Sequence, residues 1–143
     1  MTDRATWEEF WLSQAHAWAS RSKVPTTQVG CVLVHDDKEP ISYGFNSPPR
    51  GFPDQHIRLL TRDEMRHICP HAEVNAIANA ARRVLLGSVA YVSHPPCSQC
   101  TTALINAGIT KIIYVGELHS DWNESMWRAQ WLADSCKVEM VRK

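Results

Sequence analysis

Apolar residues recur at helical spacing near the start of the chain. Trp7, Phe10, Trp11, Ala15 and Trp18 form one stripe, and Thr6 with Glu9 has the spacing of a capping box, so the chain opens on an amphipathic helix. The pattern then changes. Gln28 to His35 is a β-branched run, and Ile41 to Phe45 a shorter one. The polar, turn-rich bridge Asp36, Asp37, Lys38, Glu39 and Pro40 between them predicts an antiparallel hairpin. Residues 46–70 carry Pro48, Pro49, Gly51, Pro53 and Pro70 and no sustained apolar period, which predicts a long loop with a functional role and a short helix within Ile57 to Met65.

From Ala72 the pattern is again helical, with Val74, Ile77, Ala78 and Ala81 on one face as far as Arg82 and Arg83, and Ser88 to Ser93 reads as a buried strand. Pro95 and Pro96 stop that strand. Cys97 to Ala107 predicts a helix closed by Gly108, and Lys111 to Val115 the next strand. Asp121 with Glu124 opens a last helix through Trp127, Trp131 and Leu132, and a final strand lies within Lys137 to Arg142. Strands separated by whole helices run parallel. The sum is an α/β fold, a sheet of about five strands with helices on both faces.

Composition narrows the function. A chain of 143 residues, 44% hydrophobic, with 15 basic and 15 acidic residues, predicts one domain over 1–143. Zero net charge gives no long-range pull on polynucleotides, which favours a small-molecule partner. The first residues lack the pattern of a secretory signal, and no apolar run reaches the roughly 18 residues of a membrane helix, so a soluble, unexported protein is expected. The odd number of cysteines, Cys31, Cys69, Cys97, Cys100 and Cys136, argues for a reducing, cytoplasmic setting and for thiol or metal chemistry. The six tryptophans fall in the first and last helical segments, where core or subunit packing explains them.

The chemistry concentrates in His71-Ala72-Glu73 and Pro96-Cys97-Ser98-Gln99-Cys100, each at the start of a predicted helix. Cysteines three apart in a first turn share a side, and the positive end of the helix favours thiolate. Thiolates with imidazole suit Zn²⁺, and three protein ligands, His71, Cys97 and Cys100, leave a fourth position for water, as in catalytic rather than structural zinc sites. Glu73 lies about 200° from His71 around an ideal helix, so the two can share a site only at a helix start. There Glu73 can exchange protons with the water without binding metal, which suggests hydrolytic deamination. Two other readings stay open on these residues: a closed structural zinc that adds Cys69, and a redox pair Cys97 and Cys100.

These motifs resemble the signature of the zinc-dependent nucleobase deaminases. The stretches RSKVPTTQVGCVLV, YGFNSPPRGFPD, CPHAEVNAI and YVSHPPCSQC resemble the deoxycytidylate (dCMP) branch in order and separation, from roughly Ser20 to Val115. The resemblance implies a three-layer αβα sandwich with a five-stranded mixed sheet, zinc on His71, Cys97 and Cys100, and Glu73 as catalytic proton shuttle. It implies a hydrolase acting on cyclic amidines that converts dCMP to dUMP and ammonia and so supplies thymidylate synthesis. It also implies homo-oligomers, commonly hexamers, with no membrane and no stable nucleic-acid partner.

Asn46 takes the family position for the sugar hydroxyl, and the backbone of Ala72 the position that reads the base edge. Lys23 and Arg50 are candidates for the 5′-phosphate, and Arg58, Arg62 and Arg66 share one face of a short helix. His119 stands where relatives often carry tyrosine, which leaves the base's 5-position open. Alternative substrates are 5-substituted dCMP, dCTP and free cytidine or deoxycytidine, and less closely tRNA adenosine. The effectors dCTP and dTTP of parts of the branch, with a bound Mg²⁺, and a second structural zinc on His56, His67 or Cys69 also stay open.

Overall fold

The computed structural model describes residues 3–36, 38–117 and 123–143. Helix α1, Trp7–Ala19, begins on the capping box expected of it. Thr6 Oγ1 accepts from the Glu9 N–H at 3.2 Å, and the Glu9 carboxylate accepts from the Thr6 N–H at 2.7 Å, satisfying two donors that a helix start leaves orphaned. Strands β1, Gly30–His35, and β2, Glu39–Phe45, form the antiparallel hairpin. Their register shifts between Leu33 and Val34, which places Ser42 opposite one and Pro40 opposite the other. Proline is tolerated there because β2 is an edge strand and the position adjoins the irregularity.

The sheet order is β2-β1-β3-β4-β5, with β3 Val89–Val92, β4 Lys111–Tyr114 and β5 Glu139–Arg142. β1 and β3 are antiparallel, whereas β3, β4 and β5 are mutually parallel, the mixed five-stranded sheet that the sequence predicts. The connecting helices are α4 Ala72–Ala78, α5 Arg82–Leu85, α6 Ser98–Ala107 and α7 Asn123–Ser135. Gly108 ends α6 with a φ of 102°, the left-handed conformation that glycine enters without steric cost. Val32, Val34, Val89, Tyr91 and Ile113 pack with Trp11, Leu12 and Ala15 of α1 on one face. Cys31, Leu33, Ala90, Val92 and Ile112 pack with the buried sides of α4, α6 and α7 on the other, which makes three layers.

Three details differ from the sequence reading. The segment 46–70 holds two short helices, α2 Asp54–Ile57 and α3 Arg62–Ile68, because Thr61 breaks the chain and opens α3 with a second capping box on Glu64. The stripe begun at Ala72 ends at Ala78 with Asn79 as its cap, and α5 is separate. Packing explains Trp11, which is buried, and Trp18, which stacks on Tyr43, but Trp127 and Trp131 of α7 are 68% and 57% exposed in this chain. The capping role read for Asp121 lies outside the described residues, as does His119. Among the described residues no helix is long and apolar enough to cross a membrane.

One close approach fixes α4. A Cβ at Gly44 of β2 would collide with the backbone Ala72 O and Ala76 N, so glycine lets the helix lie directly on the strand. Asn75 Nδ2 and Asn79 Nδ2 donate to the carbonyls of Phe45 and Tyr43, each at 2.8 Å, and Ser42 Oγ donates to Ala76 O at 2.8 Å. Gly44→Ala is expected to destabilise the fold by about 1–3 kcal/mol, as overpacking does, seen as a lower urea midpoint.

Candidate functional site

Strand register brings one set of chain ends together. Gly30 lies opposite Phe45, Cys31 opposite Val92, and Val92 opposite Tyr114, so the start of β1 meets the ends of β2, β3 and β4. The loops there surround a cavity of about 500 Å³, within the usual range for small-molecule sites. Thr27 and Val29 approach it before β1, Asn46 follows β2, His94 follows β3 and Glu117 follows β4. A crevice beyond the carboxyl ends of parallel strands is where open α/β sheets bind ligands.

At the floor, two helix starts face each other. His71 is the N-cap of α4 and Cys97 the N-cap of α6, both in extended backbone conformation. Cys97 Sγ accepts from the Cys100 N–H at 3.4 Å, which ties the first turn of α6 to its cap. His71 Nδ1 lies 3.6 Å from Cys97 Sγ and 3.3 Å from Cys100 Sγ. Ligands at ordinary zinc distances in a tetrahedron stand about 3.6 Å apart for a nitrogen–sulfur pair. The donor set and its spacing therefore fit a zinc ion, and among the described residues these are the only three His, Cys, Asp or Glu groups gathered closely enough to hold a metal. Cys69 lines the same cavity without joining the cluster, so the closed four-ligand site finds no support. His67 faces Asp63 and His56 meets the ring of Phe52, and among the described residues neither joins Cys69 in a second group of three metal donors.

Without metal, the three donors share protons. The hydrogen bond from the Cys100 thiol lowers Cys97 to about 4 against the opposing effect of burial, and the same bond raises Cys100. Cys97 also raises His71. A metal that takes all three must expel the Cys100 proton, so affinity falls as pH falls.

Glu73 is the second residue of α4, only 3% exposed, and on the cavity wall. Burial, the largest cause, pushes its carboxyl up, while its own backbone N–H and the Cys100 thiol act in the opposite direction. A carboxyl raised in this way holds a proton more firmly than a free one, which suits a group that both accepts and returns protons. The start of the helix resolves the angular problem, because His71 belongs to the cap rather than to the helix body. Ala72, between them, is fully buried and also lines the cavity.

Asn46 lines the cavity while its amide braces the loop before β1. Its Oδ1 accepts from the Val29 N–H at 2.8 Å, and its Nδ2 donates to Thr27 O at 2.7 Å. Ser22 Oγ adds a 2.6 Å bond to the Asn46 carbonyl. Each amide atom retains one further hydrogen-bonding position, so the structural role leaves room for a ligand. Lys23 pairs with Asp54 at 2.7 Å, and neither Lys23 nor Arg50 is among the residues lining the cavity. The arginines that do line it are Arg62 and Arg66 of α3; Arg58 does not. The i, i+4 spacing already put these two on one face, but nothing in the sequence said which way that face turns.

Residues 5–116 match the family described as the cytidine and deoxycytidylate deaminase zinc-binding region. The deoxycytidylate deaminases of Pongo abelii and Homo sapiens are each 31% identical over 129 residues, covering 86% of this chain and 72% of theirs. The crystal structure of dCMP deaminase from the cyanophage S-TIM5 in complex with dCMP and dUMP is similar in fold, with a TM-score of 0.76 at 21% identity, covering 99% of this chain and 100% of that one.

The purified protein is expected to hold one zinc per chain. His71→Ala, Cys97→Ala and Cys100→Ala should each lose it, while Cys69→Ser keeps it, as measured by elemental analysis after dialysis.

Proposed function

The chain belongs to the cytidine and deoxycytidylate deaminases, and from that premise we propose that it hydrolyses dCMP to dUMP and ammonia. The observation that carries the reading is the buried Glu73 carboxyl beside three metal donors on the wall of one nucleotide-sized cavity. The 31% identity to two deoxycytidylate deaminases supports dCMP over other cytosine compounds.

His71, Cys97 and Cys100 would hold the zinc. When bound there, it supplies a Lewis acid that lowers the pKa of a water to about 7. Glu73 then takes one proton from the attacking water and delivers it to N3, and afterwards takes the remaining proton of the new C4 hydroxyl and delivers it to the departing amine. Water supplies the new oxygen at C4, and the C4–N bond breaks to release ammonia. The raised pKa of Glu73 suits this double duty, since the same carboxyl must be base and acid in one turnover. Ala72, through its backbone, lies beside Glu73 where a base edge is presented, and Asn46 lies where the sugar passes toward the mouth.

The balanced charge of the chain favours this mononucleotide reading over a polynucleotide substrate. Homo-oligomers, including the hexamer implied by the family resemblance, and dCTP or dTTP effectors belong to the same proposal and are tested by the sedimentation of the zinc protein with and without each nucleotide.

Zinc-loaded protein offered dCMP, dCTP, deoxycytidine and 5-hydroxymethyl-dCMP should release ammonia with selective loss of dCMP. No conversion of any of them would overturn the reading. Glu73→Gln should keep its zinc and lose about 10²- to 10⁴-fold in kcat, the usual contribution of one general acid-base group.

A further inference from the structure

The reacting groups and the upper lining of the cavity are held by different parts of the fold. His71, Glu73, Cys97 and Cys100 sit at the starts of α4 and α6, and α4 is fixed to β2 at Gly44 and through Asn75 and Asn79. Two further parts of the lining come from elsewhere: Asn46, braced on Thr27 and Val29, and α3, through Met65 and, just beyond the helix, Cys69. Among the described residues α2 and α3 pack extensively on no strand and on no other helix, and the apolar cluster of α3 is separate from the two that flank the sheet. What reaches them is the segment after α1, where three consecutive residues make three different contacts. Ser22, only 7% exposed, donates through Oγ to the Asn46 carbonyl at 2.6 Å, and the same Oγ accepts from the Val24 N–H at 3.2 Å. The Ser22 N–H donates to Ala19 O at 3.0 Å, which roots the segment on the end of α1. Lys23 Nζ meets the carboxylate of Asp54, the first residue of α2, at 2.7 Å. Val24 is buried against Met65 and Cys69.

We propose that Ser22, Lys23 and Val24 are positioning residues, a strap that ties α2 and α3 to Asn46 and so sets how the cavity lining meets the nucleotide. The inference rests on the proposed dCMP deamination and adds to it Ser22 and Lys23, neither of which is among the residues lining the cavity. Two peptide units span less than about 8 Å, so contacts made by three successive residues leave little freedom between the parts they join. The Ser22 hydroxyl is the centre of the strap, because one buried oxygen serves both the Asn46 carbonyl and the Val24 N–H, and its loss leaves two backbone groups without that partner. Lys23 and Asp54 form the outer contact, exposed and correspondingly weak. Since α4 is clamped to β2 independently of this segment, loosening the strap alters how substrate is held and leaves the metal donors and Glu73 in place.

The test measures kcat and KM for dCMP in the zinc-loaded wild type, Ser22→Ala, Ser22→Thr, Lys23→Asp, Asp54→Lys and the exchanged pair Lys23→Asp with Asp54→Lys, together with amide hydrogen exchange of each protein without nucleotide. Ser22→Ala should raise KM about ten-fold with kcat within about two-fold, as expected for losing a buried hydroxyl with two partners, and Ser22→Thr, which keeps the oxygen, should recover most of it. Each single charge reversal should raise KM about two- to five-fold, the range of an exposed ion pair, and the exchanged pair should restore it. Amide exchange reads the coupling itself. Asp54→Lys should speed exchange of the Val29 amide, which donates to Asn46 Oδ1, and Ser22→Ala should speed the amides of Met65 and Cys69 at α3. Lys23 and Asp54 are exposed, so their variants decide even where Ser22→Ala does not fold. A KM that none of the variants moves, a rise that the exchanged pair leaves in place, or exchange that quickens only beside the altered residue would overturn the strap. If the wild type does not turn over dCMP, the functional reading fails and amide exchange alone decides: faster Val29 exchange in Asp54→Lys, reversed in the exchanged pair, upholds the strap, and unchanged Val29 exchange refutes it.

Discussion

The structure depends on bringing three donors from two distant segments to within a few ångströms. His71 precedes Cys97 by 26 residues and Cys100 by 29, yet its Nδ1 lies 3.6 and 3.3 Å from their sulfurs. Such a cluster costs free energy when empty, because burying charge or unshared protons is unfavourable, so the scaffold around it has to be stiff. Stiffness comes from the sheet. β3 delivers the chain into the start of α6, and α4 is clamped to β2 at Gly44 and by Asn75, Asn79 and Ser42. The two helix starts therefore meet because both helices cover the same face of the sheet.

The same arrangement decides what Glu73 can do. One residue further into α4 than Ala72, it is itself nearly fully buried and acts electrostatically on the fully buried Cys31 of β1. That burial raises the carboxyl. Floor and mouth consequently differ in character: Glu73 and Ala72 at the floor are buried, and Arg62 and Arg66 of α3 are exposed.

Much of this was legible in the sequence, and the reasons are local. The capping box at Thr6, the glycine stop at Gly108 and the strand–helix alternation are short-range patterns that appear where the sequence places them, and the hairpin forms with a shorter bridge, because Glu39 and Pro40 pair with His35 and Val34 as the start of β2. His71, Cys97 and Cys100 were legible because their residue types carry metal chemistry and helix starts orient them. The position of the positively charged groups was not. Lys23 and Arg50 flank motif segments but lie off the cavity, and Arg62 and Arg66 gain their place only from how α3 folds back through Met65 and Cys69 onto Val24. That is a tertiary contact of an irregular segment, which no periodicity encodes. The break at Thr61 is different: its capping box is visible in the sequence, yet without a sustained apolar period the pattern predicts one short helix within Ile57 to Met65 where two, α2 and α3, form.

The central claim is that water replaces the C4 amine of dCMP at this site. Its most direct test is a single incubation of the zinc-loaded protein with dCMP in ¹⁸O-labelled water, followed by mass spectrometry of the nucleotide and assay of ammonia. The account predicts dUMP carrying one ¹⁸O on the base and one ammonia per dUMP. Unchanged dCMP in the presence of fully zinc-loaded protein, or dUMP without the label, would contradict it.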